Sequence, residues 1–345
     1  MATEGNEVFN SSNKPPLANQ LFNLKAKPKY QRILENYAGA AFLSSYLGPT
    51  IAREPTAMEV ELRTLADSPN PLINKAFAQI PMYLQHLIAD TTTNYVSRPG
   101  AYDQLLVQLF DRHNPKVLFI VMNYDLLLER SLEQFGGTKF VKSADYFKGQ
   151  VNLLKPHGSV NWWTALRGTQ EEYNKDNIIW DKVKAGMGGD FVVRSPIPPM
   201  RSTIPPVWHM HLERVDELPQ DSVNTPLFPL ITAPMALKTI SEFVCPPEHT
   251  DIAKDFLSTC GKYLIVGSSG WDSDLLEYLA SSILPPTDIV HVVCPNNGAA
   301  NEVKHRYTSG VPAFADASAR DRFIVHPQEF TEYLKDFAVG NLLER

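Results

Sequence analysis

The sequence predicts an α/β protein built on a parallel sheet covered by helices on both faces. Three observations carry this. From residue 117 onward, short apolar runs alternate with amphipathic stretches of roughly 10–15 residues, the rhythm of strand–helix–strand units. The runs are continuously apolar, as in "VLFIVM", "YLIVG" and "DIVHVVCP", which suits strands buried on both faces. Each run then stops at a polar or glycine position, namely Asn123, His157, Gly267 and Pro295-Asn296. In parallel sheets ligands bind beyond the carboxyl ends of the strands, so these four positions mark one candidate edge.

Composition narrows the classes. The chain has 345 residues, with 43% hydrophobic and 20% charged residues, ordinary for a globular protein. A net charge of −6 supplies no global basic field for nucleic acid or an anionic membrane. No stretch approaches the roughly 20 apolar residues of a membrane helix, and the opening "MATEGNEVFNSSNKPPL" has no signal-peptide core. The three cysteines, Cys245, Cys260 and Cys294, are too scattered for a disulfide framework or a zinc site, so a reducing, cytoplasmic setting is expected. His209-x-His211 lacks a third ligand, and no metal is expected.

The elements follow in order. Residues 1–100 read as an extended lead-in followed by a helical block, a cap or oligomerisation surface, with Pro81 interrupting its later part. Residues 101–165 open the core: a helix at 102–112, a strand at 117–122, a helix at 126–135 ended by Gly136-Gly137, and a short strand running into a turn at Pro156-His157-Gly158. Residues 166–225 read as a loop-rich insertion, with Gly186, Gly188, Gly189 and the cluster "SPIPPMRSTIPP". Residues 226–345 complete the core: helix 251–260, strand 262–266, helix "GWDSDLLEYLASSIL", strand 289–294, helix "AANEVKHRY", strand "RFIVH" and a last helix, "PQEFTEYLKDFAVG".

The strand ends have ordinary structural readings. Asn123 or Asp125 can cap the helix that follows, and His157-Gly158 can be a plain turn. "GSSGWDSD" can be a glycine-rich turn with a helix cap at Asp272 or Ser273. Trp162-Trp163 can wall a ligand pocket or pack the insertion against the core.

Taken in order, "MNYDLLLE", "LLKPHGSVNW" and "YLIVGSSGWDSDL" resemble the sirtuin-like NAD-binding family, most closely its bacterial NAD-cleaving branch in anti-phage defence. The resemblance spans roughly residues 100–165 and 225–335. It implies a Rossmann-like sheet, NAD as substrate, and cleavage to nicotinamide and ADP-ribose. Asn123 would orient the ribose or a water, and His157 would take the nucleophile's proton. Asp125 would hydrogen-bond the nicotinamide amide or bias its cationic ground state. Gly267 would let the backbone approach the adenosine ribose, Ser268 would hydrogen-bond it, and Tyr124, Asp272 and Asn296 complete the cofactor-binding set. The resemblance also implies homo-oligomers and a partner such as a HerA-type ATPase or an Argonaute-like protein.

The chain departs from the family in two ways. The family begins with a strand and a GAG-type phosphate-binding loop, whereas "GNEVFNSSNKPPLANQLF" resembles only the stretch after that loop. That departure keeps a second reading open, a degenerate domain that senses NAD or ADP-ribose or scaffolds a partner. Deacylating members carry four zinc-binding cysteines, which disfavours a protein deacylase here.

Overall fold

The computed structural model describes residues 21–22, 28–51, 57–92, 100–111, 115–165, 191–193, 208–209, 226–284, 286–336 and 338–344. The lead-in 1–16 and most of the 166–225 insertion lie outside these. None of the described helices is long and apolar enough to cross a membrane.

The helical block consists of α1 (Pro28–Leu34), α2 (Ala38–Ile51), α3 (Ala57–Ala66), α4 (Pro71–Phe77) and α5 (Ile80–Thr92). Asn70 starts α4 by accepting the Leu72 amide at 3.0 Å, with Pro71 at the first helical position. Pro81 does not interrupt a helix. It sits in the first turn of α5, where its missing N–H costs nothing, and the break falls at residues 78–79. Apolar residues of the block, including Tyr30, Leu62, Phe77, Tyr83 and Leu87, form one core with Val160, Phe228 and Ile231 from the strands that follow.

The strand-bearing part begins with α6 (Ala101–Phe110), β1 (Val117–Ile120) and α7 (Leu127–Gly136). Helix α7 stops at Gly137, whose left-handed φ of 67° closes the helix back onto Glu133. Next come β2 (Phe147–Lys148), β3 (Val151–Leu154) and β4 (Gly158–Ala165). Short strands β5 (Phe191–Val193) and β6 (Trp208–His209) precede β7 (Pro226–Ile231). The remainder is α8 (Pro247–Thr259), β8 (Lys262–Val266), α9 (Ser273–Ser282), β9 (Ile289–Cys294), α10 (Asn297–Gly310), α11 (Pro312–Ala319), β10 (Phe323–Pro327), α12 (Phe330–Lys335) and α13 (Ala338–Glu344).

The expectation of one parallel sheet running through residues 117–122, 151–155, 262–266, 289–294 and 323–326 is corrected. β1 pairs in parallel with β3, which pairs antiparallel with β2. β8, β9 and β10 form a separate all-parallel sheet in the order β10-β9-β8. The physical reason is that no hydrogen bonds join β1 to β8 among the described residues, although the two strands share a layer. Val117 and Phe119 of β1 and Leu264 and Val266 of β8 pack on one core, with Leu105, Phe330 and Tyr333. The alternate residues Leu118, Ile120, Tyr263 and Ile265 pack on the other, with Leu128, Leu153 and Leu275. Accordingly β9, flanked on both sides, is wholly buried, while β1 and β8 are only half-buried.

The insertion is more than loop. Its described parts, β5 and β6, join an antiparallel sheet in the order β5-β4-β7-β6. The turn at 156–157 therefore leads straight into β4, so Trp162 and Trp163 are strand residues and fully buried. The last helix is in fact two, α12 and α13, and α11 was not expected after α10.

Two outcomes are expected. In amide exchange, every amide of β9 should be slow. Alternate amides of β1 and β8, which point away from their hydrogen-bonded neighbours, should exchange faster; uniform protection across all three strands would contradict the separated sheets. The second concerns His249 of α8, buried against Tyr146, Phe147 and Trp162. Burial pulls its imidazole down to about 4. The native state refuses a proton that the unfolded chain accepts near 6.5. Stability is therefore full above that value and falls as the pH drops toward about 4, by up to about 3 kcal/mol. His249→Gln should flatten this slope in urea titrations across that range.

Candidate functional site

The loops after β1, β3 and β8 meet. The β1–α7 turn (Asn123–Leu126) is tied by main-chain contact to the start of β4, just after the β3–β4 turn (Lys155–His157), with the Val160 amide donating to the Tyr124 carbonyl at 3.0 Å. A buried lysine makes the stronger tie. Lys155, with 0% exposure, donates to the Asp125 carbonyl at 2.6 Å, the Glu129 carboxylate at 2.7 Å and the Ser159 hydroxyl at 2.9 Å. Three acceptors match the three protons of an ammonium, which is what makes its burial tolerable. Burial pushes the Glu129 carboxyl up, against the pull of Lys155.

His157 follows in the same turn. Its Nε2 lies 2.8 Å from Asp274 Oδ2 at the start of α9, joining turns 117 positions apart in the chain. His157 and Asp274 are both buried. Burial alone would raise the Asp274 carboxyl. The hydrogen bond with His157 and the charge of Lys238 outweigh it and hold the group below the usual carboxylate range. Lys238 Nζ stands 2.9 Å from His157 Nε2, 3.3 Å from Nδ1 and 3.9 Å from Asp274 Oδ2. Burial lowers its ammonium, against the pull of Asp274, Asp272 and Glu59. The Tyr124 ring lies 6.5 Å from the imidazole, and burial raises its phenol.

His157, Asp272 and Asp274 have ligand atoms within 4.8 Å of one another, a donor set that a divalent cation could use. The Lys238 ammonium stands in the same cluster and already supplies the positive charge there. His209 lies on β6, and His211 lies outside the described residues.

Other expected residues are placed as follows. Asn123 is exposed on its turn. Asp125 is buried, and its Oδ1 accepts the Leu127 amide at 3.0 Å, a helix-starting bond. Asn296 caps α10 by accepting the Ala299 amide at 2.8 Å. Asp272 is the N-cap residue of α9 but makes no capping bond with its side chain. Ser268 bonds the Tyr307 hydroxyl at 2.9 Å and accepts the Gly270 amide at 3.1 Å. Gly267 has a φ of 63°, so the turn itself needs glycine there. Gly158 has a φ of 85°, and a Cβ would meet the Leu230 carbonyl oxygen at 1.9 Å.

Gly267 and Ser268 line a cavity of about 350 Å³ at the carboxyl ends of β8 and β9, with Pro295, Glu302, Arg306 and Glu329. The connection that lines the cavity with Gly267, Ser268 and Ser269 continues to Asp274, the partner of His157. Arg306 is already committed: its guanidinium stacks 3.9 Å from the Trp271 ring centre, pairs with Glu302 at 2.8 Å and donates to the Ser269 carbonyl at 2.7 Å. A larger cavity, about 510 Å³, lies at the opposite ends of the strands, beside Lys116, Asn152 and Cys260.

Sequence reasoning missed Lys238 and the Lys155–Glu129 pair. Lys238 sits in an irregular segment with no motif around it. Glu129 did carry a signal, a carboxylate next to the inward-facing Leu128 and Leu132 of α7.

No protein-family model and no curated protein sequence matches the chain.

Lys155→Met should cost about 3–5 kcal/mol, because it leaves the Glu129 carboxylate buried without its cation. Adding Glu129→Gln should recover much of that in chemical denaturation. A single variant as stable as wild type would show that the pair does not hold the turns.

Proposed function

We propose that the chain is a sirtuin-like NAD+ glycohydrolase on a Rossmann-like core, releasing nicotinamide and ADP-ribose in anti-phage defence. One observation carries this reading. The three sequence stretches that resemble the family are brought together by the His157–Asp274 bond and the Tyr124 turn, and the third of them also lines a nucleoside-sized cavity at strand carboxyl ends.

In this reading the nicotinamide–ribose bond breaks through an oxocarbenium-like state. Nicotinamide starts cationic and leaves neutral, so it needs no acid. Water adds to the ribose carbon, and His157 takes its proton. Asp274 orients the ring and stabilises the imidazolium, as a carboxylate does for a catalytic histidine elsewhere. Asn123, exposed on the turn before Tyr124, positions the water or a ribose hydroxyl without adding charge. Gly267, Ser268 and Asp272 hold the adenosine side. Homo-oligomerisation, a partner such as a HerA-type ATPase or an Argonaute-like protein, and a cytoplasmic setting belong to the same proposal.

Specific observations favour a second reading, a sensor or scaffold that binds NAD or ADP-ribose without cleaving it. Arg306, the arginine of the cavity, is engaged by Trp271 and Glu302. The Asp125 carboxylate is engaged by the Leu127 amide, and Asn296 caps α10.

The test is nicotinamide release from NAD by the wild-type protein with its partner and trigger supplied. Asn123→Ala should lower it about 10²–10⁴-fold with the melting temperature nearly unchanged, whereas His157→Ala should lower it as far and also lower the melting temperature, because Asp274 then stays buried without its imidazole. Equal rates for wild type and His157→Ala would remove His157 as the base. NAD binding without any release would favour the sensor.

A further inference from the structure

Lys238 is not explained by the proposed reaction. It is buried, and it reaches His157 from a segment that other parts of the chain hold in place. Just before it, Leu237 is left-handed at φ 55°, a conformation a leucine avoids, and its side chain is exposed. Such a turn persists only when its surroundings fix it.

Three residues, Glu59, Arg63 and Ser273, fix it. The Ala236 amide donates to the Glu59 carbonyl of α3 at 3.0 Å. Arg63 of α3 donates to the Ala236 carbonyl at 3.0 Å and grips Glu242 through two bonds of 2.9 Å. The Ser273 hydroxyl of α9 donates to the Lys238 carbonyl at 2.8 Å. The helical block therefore delivers the ammonium to the imidazole.

The result is a closed site. Both ring nitrogens of His157 are in contact with Lys238, and Nε2 also meets Asp274. The residue is only 3% exposed. With Nε2 donating to Asp274, Nδ1 is the nitrogen left to take a proton, and the Lys238 ammonium, 3.3 Å away, crowds the approach of a water to it. We propose that Lys238 is a latch that holds His157 in this resting arrangement, and that detaching the 236–242 segment from α3 releases it. The inference rests on His157 being the base of the proposed hydrolase, and it names how that site is regulated. A charge-assisted grip remote from the imidazole, Arg63–Glu242, becomes the point at which a partner or a shift of the helical block opens the site.

The test uses the full chain and two variants. Lys238→Ala removes the latch. Glu242→Gln weakens its hold from a distance and leaves the site residues intact. The first readout is the rate at which diethyl pyrocarbonate labels His157, followed by peptide mass spectrometry. The second is nicotinamide release from NAD. Labelling should rise about tenfold in each variant, the change expected when roughly 1.4 kcal/mol of charge-assisted bonding is lost. Release should rise above the wild-type level. Labelling as slow as wild type in both variants overturns the latch. Faster labelling with release below wild type also overturns it, and makes Lys238 a required part of the reaction. Faster labelling with no release by any form sustains the latch and removes the hydrolase reading instead.

Discussion

The buried ammonium of Lys155 is the constraint on which the candidate site depends. It draws together a main-chain carbonyl from the first turn, a carboxylate from α7 and a hydroxyl from the start of β4. The β1–β3 ladder and the bond from the Val160 amide to the Tyr124 carbonyl already bring the two strand ends together, and the lysine fixes the start of α7 against them. With it, Tyr124 and His157 are held against each other, and Asp125 is free to start α7. A desolvated charge of this kind adds little net stability. Its value is geometric, because any displacement leaves a buried ion unpaired.

From that fixed point the structure extends in two directions. One leads through His157 and Asp274 to α9 and the cavity beside β8 and β9. The other leads through β4 and β7 into the helical block, whose core includes Val160, Phe228 and Ile231. The opposite faces of the same strands give Trp162 and Leu230 to the other core. The described helices of residues 28–92 share a core with β4 and β7 and reach the site again through Arg63 and Glu242.

Much of this was legible in the sequence, for a physical reason. Continuous apolar runs such as 289–294 must be strands buried on both faces, and the structure has them so. Glycine after α7 and the polar residues at strand ends were equally direct, since caps and turns are decided locally. What was not legible depends on distant partners. The separation of β1 from β8 follows from which strands find neighbours, not from either strand's own sequence. Lys238 gains its place from a helix far away in the chain and from a strained leucine, neither of which leaves a periodic trace. Asp125 could be read as a ligand or as a cap from the sequence alone, and the structure adds only that its Oδ1 is held by the Leu127 amide at the start of α7.

Gly158 has a genetic consequence. Its left-handed backbone, and the Leu230 carbonyl where a Cβ would stand, exclude every other amino acid. A glycine codon cannot suffer a missense change without gaining a Cβ, so inactivating mutations should accumulate at this codon. They would appear next to His157 in any screen for lost function and would suggest a chemical role, yet what they would report is the spacing between two backbones.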